Sequence, residues 1–308
     1  MITATSTSTT VARKTKAPAK SAKTKAKSVK STAAATHISS APKEPTAAVN
    51  WYDLLEQAVQ EPGELQAALV HFRKYSLANR WLASTQLRAA GVPLQPINTF
   101  KGWLAVNRPV VKGQKAAISL NMPVPVKKKD GDSSSSSDEK EKSFTMFLLR
   151  RHWFYLDQTA GDDFKPEELP AEVWNISRAL DFLEMTEVPF AYNSVSDHRM
   201  SYSEGRTFAV SGIAENQTFQ RLREMARIQL GHNDVTRGPN VPTETHLLDI
   251  EVEATAYLCA ATLGIDGLRE SQHALQRNLA EIDMKRIPAK SAKRAFAAAD
   301  HLVNAGYC

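Results

Sequence analysis

The chain has 308 residues, a formal net charge of +6 and 42% hydrophobic residues, enough for two domains plus flexible segments. The charge is lopsided: residues 1–50 hold nine Lys/Arg against the single acid Glu44, a net +8 that leaves the remainder at −2. Two cysteines, Cys259 and Cys308, argue against a disulfide framework or a thiolate zinc site, and neither a bilayer-spanning apolar run nor the apolar core of a secretory signal is present, so a cytoplasmic protein with no membrane attachment is expected.

Residues 1–48 are Ala, Lys, Ser and Thr with scattered Pro and almost no large apolar side chains. Such a segment cannot bury enough surface to offset its ordering entropy, so a disordered tail is expected. Its lysines suit non-specific DNA, through phosphate contacts and counterion release. A solvated tail without a specific partner, or a transit peptide, are the alternatives, the latter disfavoured by Lys in place of Arg.

The composition changes at Trp51. Trp51–Gln60, Glu64–Tyr75 and Leu77–Ala90 read as three helices, broken by Pro62-Gly63 and ended by Gly91. Thr99–Val106 reads as a short helix bearing Trp103, Arg108–Lys115 as a basic turn, and Ala117–Val126 as an extended stretch. Lys127–Lys142 holds five Lys and five acids, and reads as a flexible hairpin insertion before a returning strand, Phe144–Leu156. An acidic linker, Gly161–Pro170, follows.

The second unit should open with a helix, Ala171–Met185, and a strand-like Pro189–Asn193. Arg206–Ser211 then reads as a strand and Glu215–Leu230 as a helix with Phe219, Leu222, Ala226 and Leu230 on one face. Thr243–Leu263, Glu270–Ile282 and Ser291–Ala305 read as three closing helices. The strand followed by R-E-M-A-R (residues 223–227) has the outline of the zinc-peptidase helix H-E-x-x-H, in which two His one turn apart bind the metal and the Glu is the general base. Glu224 is present, but Arg223 and Arg227 occupy the two ligand positions.

Several motifs in order resemble the ArdC-type antirestriction family, over roughly residues 51–306. Tyr75-Ser76-x-x-Asn79, Trp103 with Val111-Lys112-Gly113-x-Lys115, and Phe154-x-x-Asp157-Gln158-Thr159-x-Gly161 resemble its first half. Gly205-Arg206-Thr207, the helix ending L-G-H at His232, Glu253-Ala254-Thr255-Ala256-Tyr257, and Ser291-Ala292-Lys293-Arg294 with Ala298-Ala299-Asp300 resemble its second. The resemblance implies an α+β protein: a helical and β-hairpin single-stranded-DNA-binding domain (49–160), then a mainly helical zincin-like metallopeptidase domain with a small sheet (161–308). Family likeness would make Asp249 the third zinc ligand, with Glu253 one turn further on.

For DNA, the expected cations are Lys112, Lys115, Arg108, Arg150 and Arg151, with Tyr75, Trp103 or Trp153 as stacking platforms and Asn79 in the same helix motif. The bland alternative makes the aromatics core residues. For the metal, Arg cannot be a ligand because its guanidinium stays protonated. Arg223, Arg227, Asp249 and Glu253 therefore read as a vestigial site without zinc, Glu224 has no bound water to activate, and no other cofactor is expected. The guanidinium groups are expected to replace the metal's charge in an ion-pair cluster with the carboxylates; the alternative has both pointing to solvent. Two rival functions remain: a zinc peptidase built on His232, His246 and Asp249, and a module in which Arg206–Ser211, as an edge strand, receives a partner peptide.

Overall fold

Helix α1 (Trp51–Gln60) is separated by Glu61 from α2 (Pro62–Phe72), where Pro62 sits at the helix start and its missing N–H costs nothing. The computed structural model describes residues 49–127, 143–164, 173–192, 198–233, 242 and 244–307. The tail (1–48), the body of the insertion (128–142) and part of the acidic linker (165–170) lie outside the described residues. Helix α3 (Leu77–Ala89) follows Ser76, whose side chain does not cap it. Its first N–H is satisfied from the far end of the chain, Leu77 donating to Asp300 Oδ1 at 2.7 Å, where the carboxylate also meets the positive end of the helix dipole. This gives the Ala-Ala-Asp motif a structural task.

Three strands, β1 (Ile97–Thr99), β2 (Ile118–Lys127) and β3 (Ser143–Tyr155), form an antiparallel sheet in the order β1-β3-β2. β1 is too short for alternation to reveal it in the sequence. Helix α4 (Phe100–Ala105) begins directly after it, with the Thr99 hydroxyl accepting from Gly102 N–H at 3.1 Å.

β2 is an edge strand, and α3 covers its open side. Asn79 exchanges two hydrogen bonds with the backbone of Asn121 (2.8 and 3.1 Å), and Gln86 does the same with Ser119 (both 2.8 Å). Ser119 and Asn121 are two apart, so both turn their N–H and C=O to the same side. Pro123 and Pro125 share that parity. They lack only N–H groups that would face outward, so the ladder with β3 is intact and the exposed edge offers fewer donors.

The second sheet holds β4 (Thr186–Glu187), β5 (Ser201–Glu204) and β6 (Thr207–Val210), in the order β4-β6-β5. Two expectations are corrected here. Residues 189–192 form no strand; the pairing lies earlier, at Thr186 and Glu187. The Arg206–Ser211 stretch is not an edge: β6 is paired on both sides, parallel to β4 and antiparallel to β5. Strands of two and four residues carry too little periodicity to be read, so its neighbours were invisible.

The remaining helices are α5 (Ile176–Phe182), α6 (Gln217–Gln229), α7 (Thr245–Leu263), α8 (Leu268–Glu281) and α9 (Ala289–Ala305). α5 starts later than expected, where Asn175 accepts from the Ser177 and Arg178 N–H groups as an N-cap. α7 is buried almost all round between α2, α6, α8 and α9. The larger apolar core is built on it and draws residues from Leu54 to Ala305, on both sides of residue 160. A smaller core, with Phe72, Leu87, Ile118, Leu120 and Trp153, lies between α2, α3 and the first sheet. The described residues form one compact, mixed α+β unit, and no helix among them is long and apolar enough to cross a membrane.

Candidate functional site

The first-half candidates separate into presented and buried groups. Lys112 and Lys115 are exposed on a turn whose Gly113 has φ +92°, a conformation that favours glycine. The turn is held from behind by the Asp-Gln-Thr motif. Gln158 Nε2 donates to the Lys115 carbonyl (2.8 Å), the Gln158 carbonyl accepts from Val111 N–H (2.9 Å), and Val110 bridges to Thr159. Arg108 belongs to this support: its Nε donates to Thr159 Oγ1 at 3.0 Å, and its Nη1 reaches the backbone carbonyl of Asp162. Arg150 is exposed on β3, while Arg151 is half-buried.

Asn79 is committed to the β2 edge. Trp103 is 1% exposed and donates from Nε1 to the Phe154 carbonyl at 2.8 Å. Trp153 is buried, and half-buried Tyr75 donates to the Ile97 carbonyl at 3.1 Å, its ring edge-on to Trp153. None of the three aromatics is an open platform like Phe100, which lies 52% exposed on α4 and which the sequence reading omitted.

The second-half candidates meet between α6 and α7. Arg223 and Arg227 are one turn apart on α6, as are Asp249 and Glu253 on α7, and the pairing is antiparallel. Arg223 Nη2 is ion-paired with Glu253 Oε1, and Arg227 Nη1 lies 3.4 Å from Asp249 Oδ1. Glu224 is buried among them, accepting from the Ser201 hydroxyl of β5 at 2.7 Å, with Arg227 Nε 3.6 Å from its other oxygen. Gln220 accepts from Arg223 Nη1 (3.1 Å), and Ser271 of α8 donates to Glu253 Oε2 (3.2 Å). Two cations thus face three carboxylates. Burial pushes the Glu253 carboxyl above its ordinary range despite the opposing pull of Arg223.

These residues do not fit a catalytic metal. Guanidinium offers no lone pair, and Asp249 and Glu253 are already engaged by guanidinium. Among the described residues no group of three His, Cys, Asp or Glu is gathered for one ion, the set His232, His246 and Asp249 included.

His232 is committed elsewhere. Leu230, Gly231 (φ +70°) and His232 end α6 in a Schellman turn, with His232 N–H donating to the Arg227 carbonyl at 3.1 Å. The imidazole then enters the core, Nε2 lying 2.9 Å from Glu251 Oε2. Arg294 of α9 donates to the same oxygen at 2.8 Å and to the Leu230 carbonyl at 2.9 Å. Burial would raise the Glu251 carboxyl, but hydrogen bonds from His232 and Arg294, with the Arg294 charge, outweigh it and hold the group below its ordinary range. Glu251 and Arg294 were missed as site residues. The available signal was the i, i+2 spacing of Glu251 and Glu253, which sets them on different sides of α7: Glu253 ties it to α6, Glu251 to α9.

Two solved structures are similar to this chain. One is the crystal structure of the antirestriction ArdC protein from the R388 plasmid in metal-free form, with a TM-score of 0.47 and 14% identity, covering 83% of this chain and 97% of that one. The other is the Mn(II)-bound structure of the same protein, with a TM-score of 0.44 and 14% identity, covering 84% and 98%. No family model and no curated protein matches the chain.

Proposed function

We propose that this protein binds single-stranded DNA as an antirestriction-type protein of a mobile element, and that its second half keeps the frame of a zincin peptidase without its metal. The observation that carries the binding half of this reading is the Lys112–Lys115 turn, which bears two exposed lysines on a backbone held in place by Gln158 and Thr159. The ordered motifs of the sequence support the antirestriction assignment. In this reading the folded first half distinguishes single strands, and the lysine-rich tail adds affinity for any phosphate backbone. The function is protection of incoming single strands from nuclease or restriction attack.

The test is binding of labelled single- and double-stranded DNA at two salt concentrations, with and without residues 1–48. Removing the tail should weaken both forms and flatten the salt dependence while single strands stay favoured; a truncated protein indifferent to strandedness refutes the assignment. Lys112→Ala with Lys115→Ala should weaken single-strand binding about tenfold and reduce the salt slope by about 1.4, the value for two lost phosphate contacts. An unchanged slope would place the contacts elsewhere.

The second half has its own test. Arg223→His combined with Arg227→His should let the protein bind zinc, at about one ion per chain by metal analysis, because two imidazoles one turn apart would then face Asp249 and Glu253. A well-folded double variant that stays zinc-free would mean that these positions do not retain a metal-site frame.

A further inference from the structure

Lys112 and Lys115 supply charge, but charge alone does not distinguish a single strand from a duplex. A feature that admits an unpaired base does, since a paired base is not free to enter. A cavity of about 170 Å³ opens where the α2–α3 corner meets β1 and α4. For scale, a cavity of about 150 Å³ admits one benzene ring. Tyr75 and Phe164 line the cavity, and the buried Trp103 backs it, edge-on to Phe164 with ring centroids 5.2 Å apart.

His71, Arg73 and Lys74 also line this cavity, and none of the described residues that line it is acidic. The corner that carries them is fixed from the core. Arg80, 2% exposed, donates to the Arg73 carbonyl at 3.0 Å and to Asn304 Oδ1 at 3.0 Å, while the Arg73 guanidinium lies over the Tyr307 ring, 4.2 Å from its centroid. Aromatic walls of single-ring dimensions beside two cations, Arg73 and Lys74, and the His71 imidazole match a nucleotide: an apolar base flanked by anionic phosphates. A site already in shape loses little ordering entropy on binding.

We infer that this cavity receives one unpaired pyrimidine base of the bound strand, with the flanking phosphates on His71, Arg73 and Lys74, and that it is the source of single-strand preference. The inference rests on the DNA-binding reading above and assigns the base-binding site within it. Tyr75 and Trp103, two of the three aromatics expected from the sequence as stacking platforms, act here as parts of one pocket. His71, Arg73, Lys74 and Phe164 are the additional members.

The experiment uses the full chain and three probes: an oligothymidylate, the same backbone with abasic residues, and a duplex. Tyr75→Leu keeps apolar volume and removes the ring. It should lower oligothymidylate affinity about tenfold, the scale of one lost base–aromatic contact, and leave abasic and duplex binding as in the parent. Independently of any variant, an oligothymidylate carrying 5-iodouracil should photocross-link to Tyr75 or Phe164, as located by mass spectrometry. A parent that prefers single strands, with cross-links elsewhere and Tyr75→Leu binding unchanged, overturns the pocket and leaves the DNA-binding reading standing. A parent with no preference for single strands overturns both.

Discussion

Arg223→Ala should cost about 2–3 kcal/mol of folding stability at pH 7 and much less at pH 5. Its partner Glu253 is 2% exposed, and removing one member of a buried pair leaves an uncompensated charge, a change that costs about 3–5 kcal/mol. The carboxylate has an escape, because it can take up a proton. Doing so at pH 7, for an acid of ordinary pKa, costs about 3–4 kcal/mol, and the parent, whose Glu253 is already raised, bears part of this, so the loss stays below that figure. The sign follows from linkage. Burial already raises the Glu253 carboxyl, so its contribution is fully present below the ordinary carboxylate range and is lost as pH rises through its folded value. Without Arg223 that folded value moves higher still, and the deficit grows between pH 5 and 7. Adding Glu253→Gln should recover most of the stability. Denaturant melts at the two pH values decide the matter: a deficit below about 1 kcal/mol, or one independent of pH, would mean that Arg223 acts as a solvent-facing side chain.

Glu251→Ala should be at least as damaging, about 3–5 kcal/mol, with a different pH signature. It strands Arg294, which cannot shed its charge, beside a buried His232 whose Nε2 loses its partner. Glu251 is held below the ordinary range, so its contribution is present above that range and is lost as pH falls through the folded value. The deficit should therefore be the same at pH 7 and pH 5, and should shrink only in stronger acid, where the parent loses the interaction too. Because α6, α7 and α9 all meet at this group, α6 should lose amide-exchange protection along with α9. A deficit that falls between pH 7 and 5, as expected for Arg223→Ala, would contradict the assignment. Taken together, the two variants separate the two sides of α7: one carboxylate that burial raises toward neutrality, and one that its donors keep ionised.

Much of the secondary structure was legible because the signals are local. The apolar period of α6, the Pro62 and Gly91 breaks, and the long apolar run of α7 each lie within a dozen or so neighbouring residues. Strands β1, β4 and β5, at two to four residues, are shorter than the period needed to detect them, and missing them led to β6 being read as an edge. The Asn175 cap of α5 is itself a local signal, an Asn whose side chain accepts from the N–H groups two and three residues on.

The candidate residues divide along the same line. That Arg223 and Arg227 cannot hold a metal follows from guanidinium chemistry wherever they lie, so the sequence alone determined it. The exposure of Lys112 and Lys115 followed from a Gly-centred turn, which keeps both ammonium groups in solvent. Only the tertiary structure decided that Asn79 pairs with a strand edge 42 residues away, that Asp300 satisfies the start of α3, 223 residues before it in the chain, and that His232 turns inward to Glu251. In each case a polar side chain acquires its role from the buried partner that satisfies it. That partner is set by which helices pack together, a property of the whole fold that no local run of residues encodes.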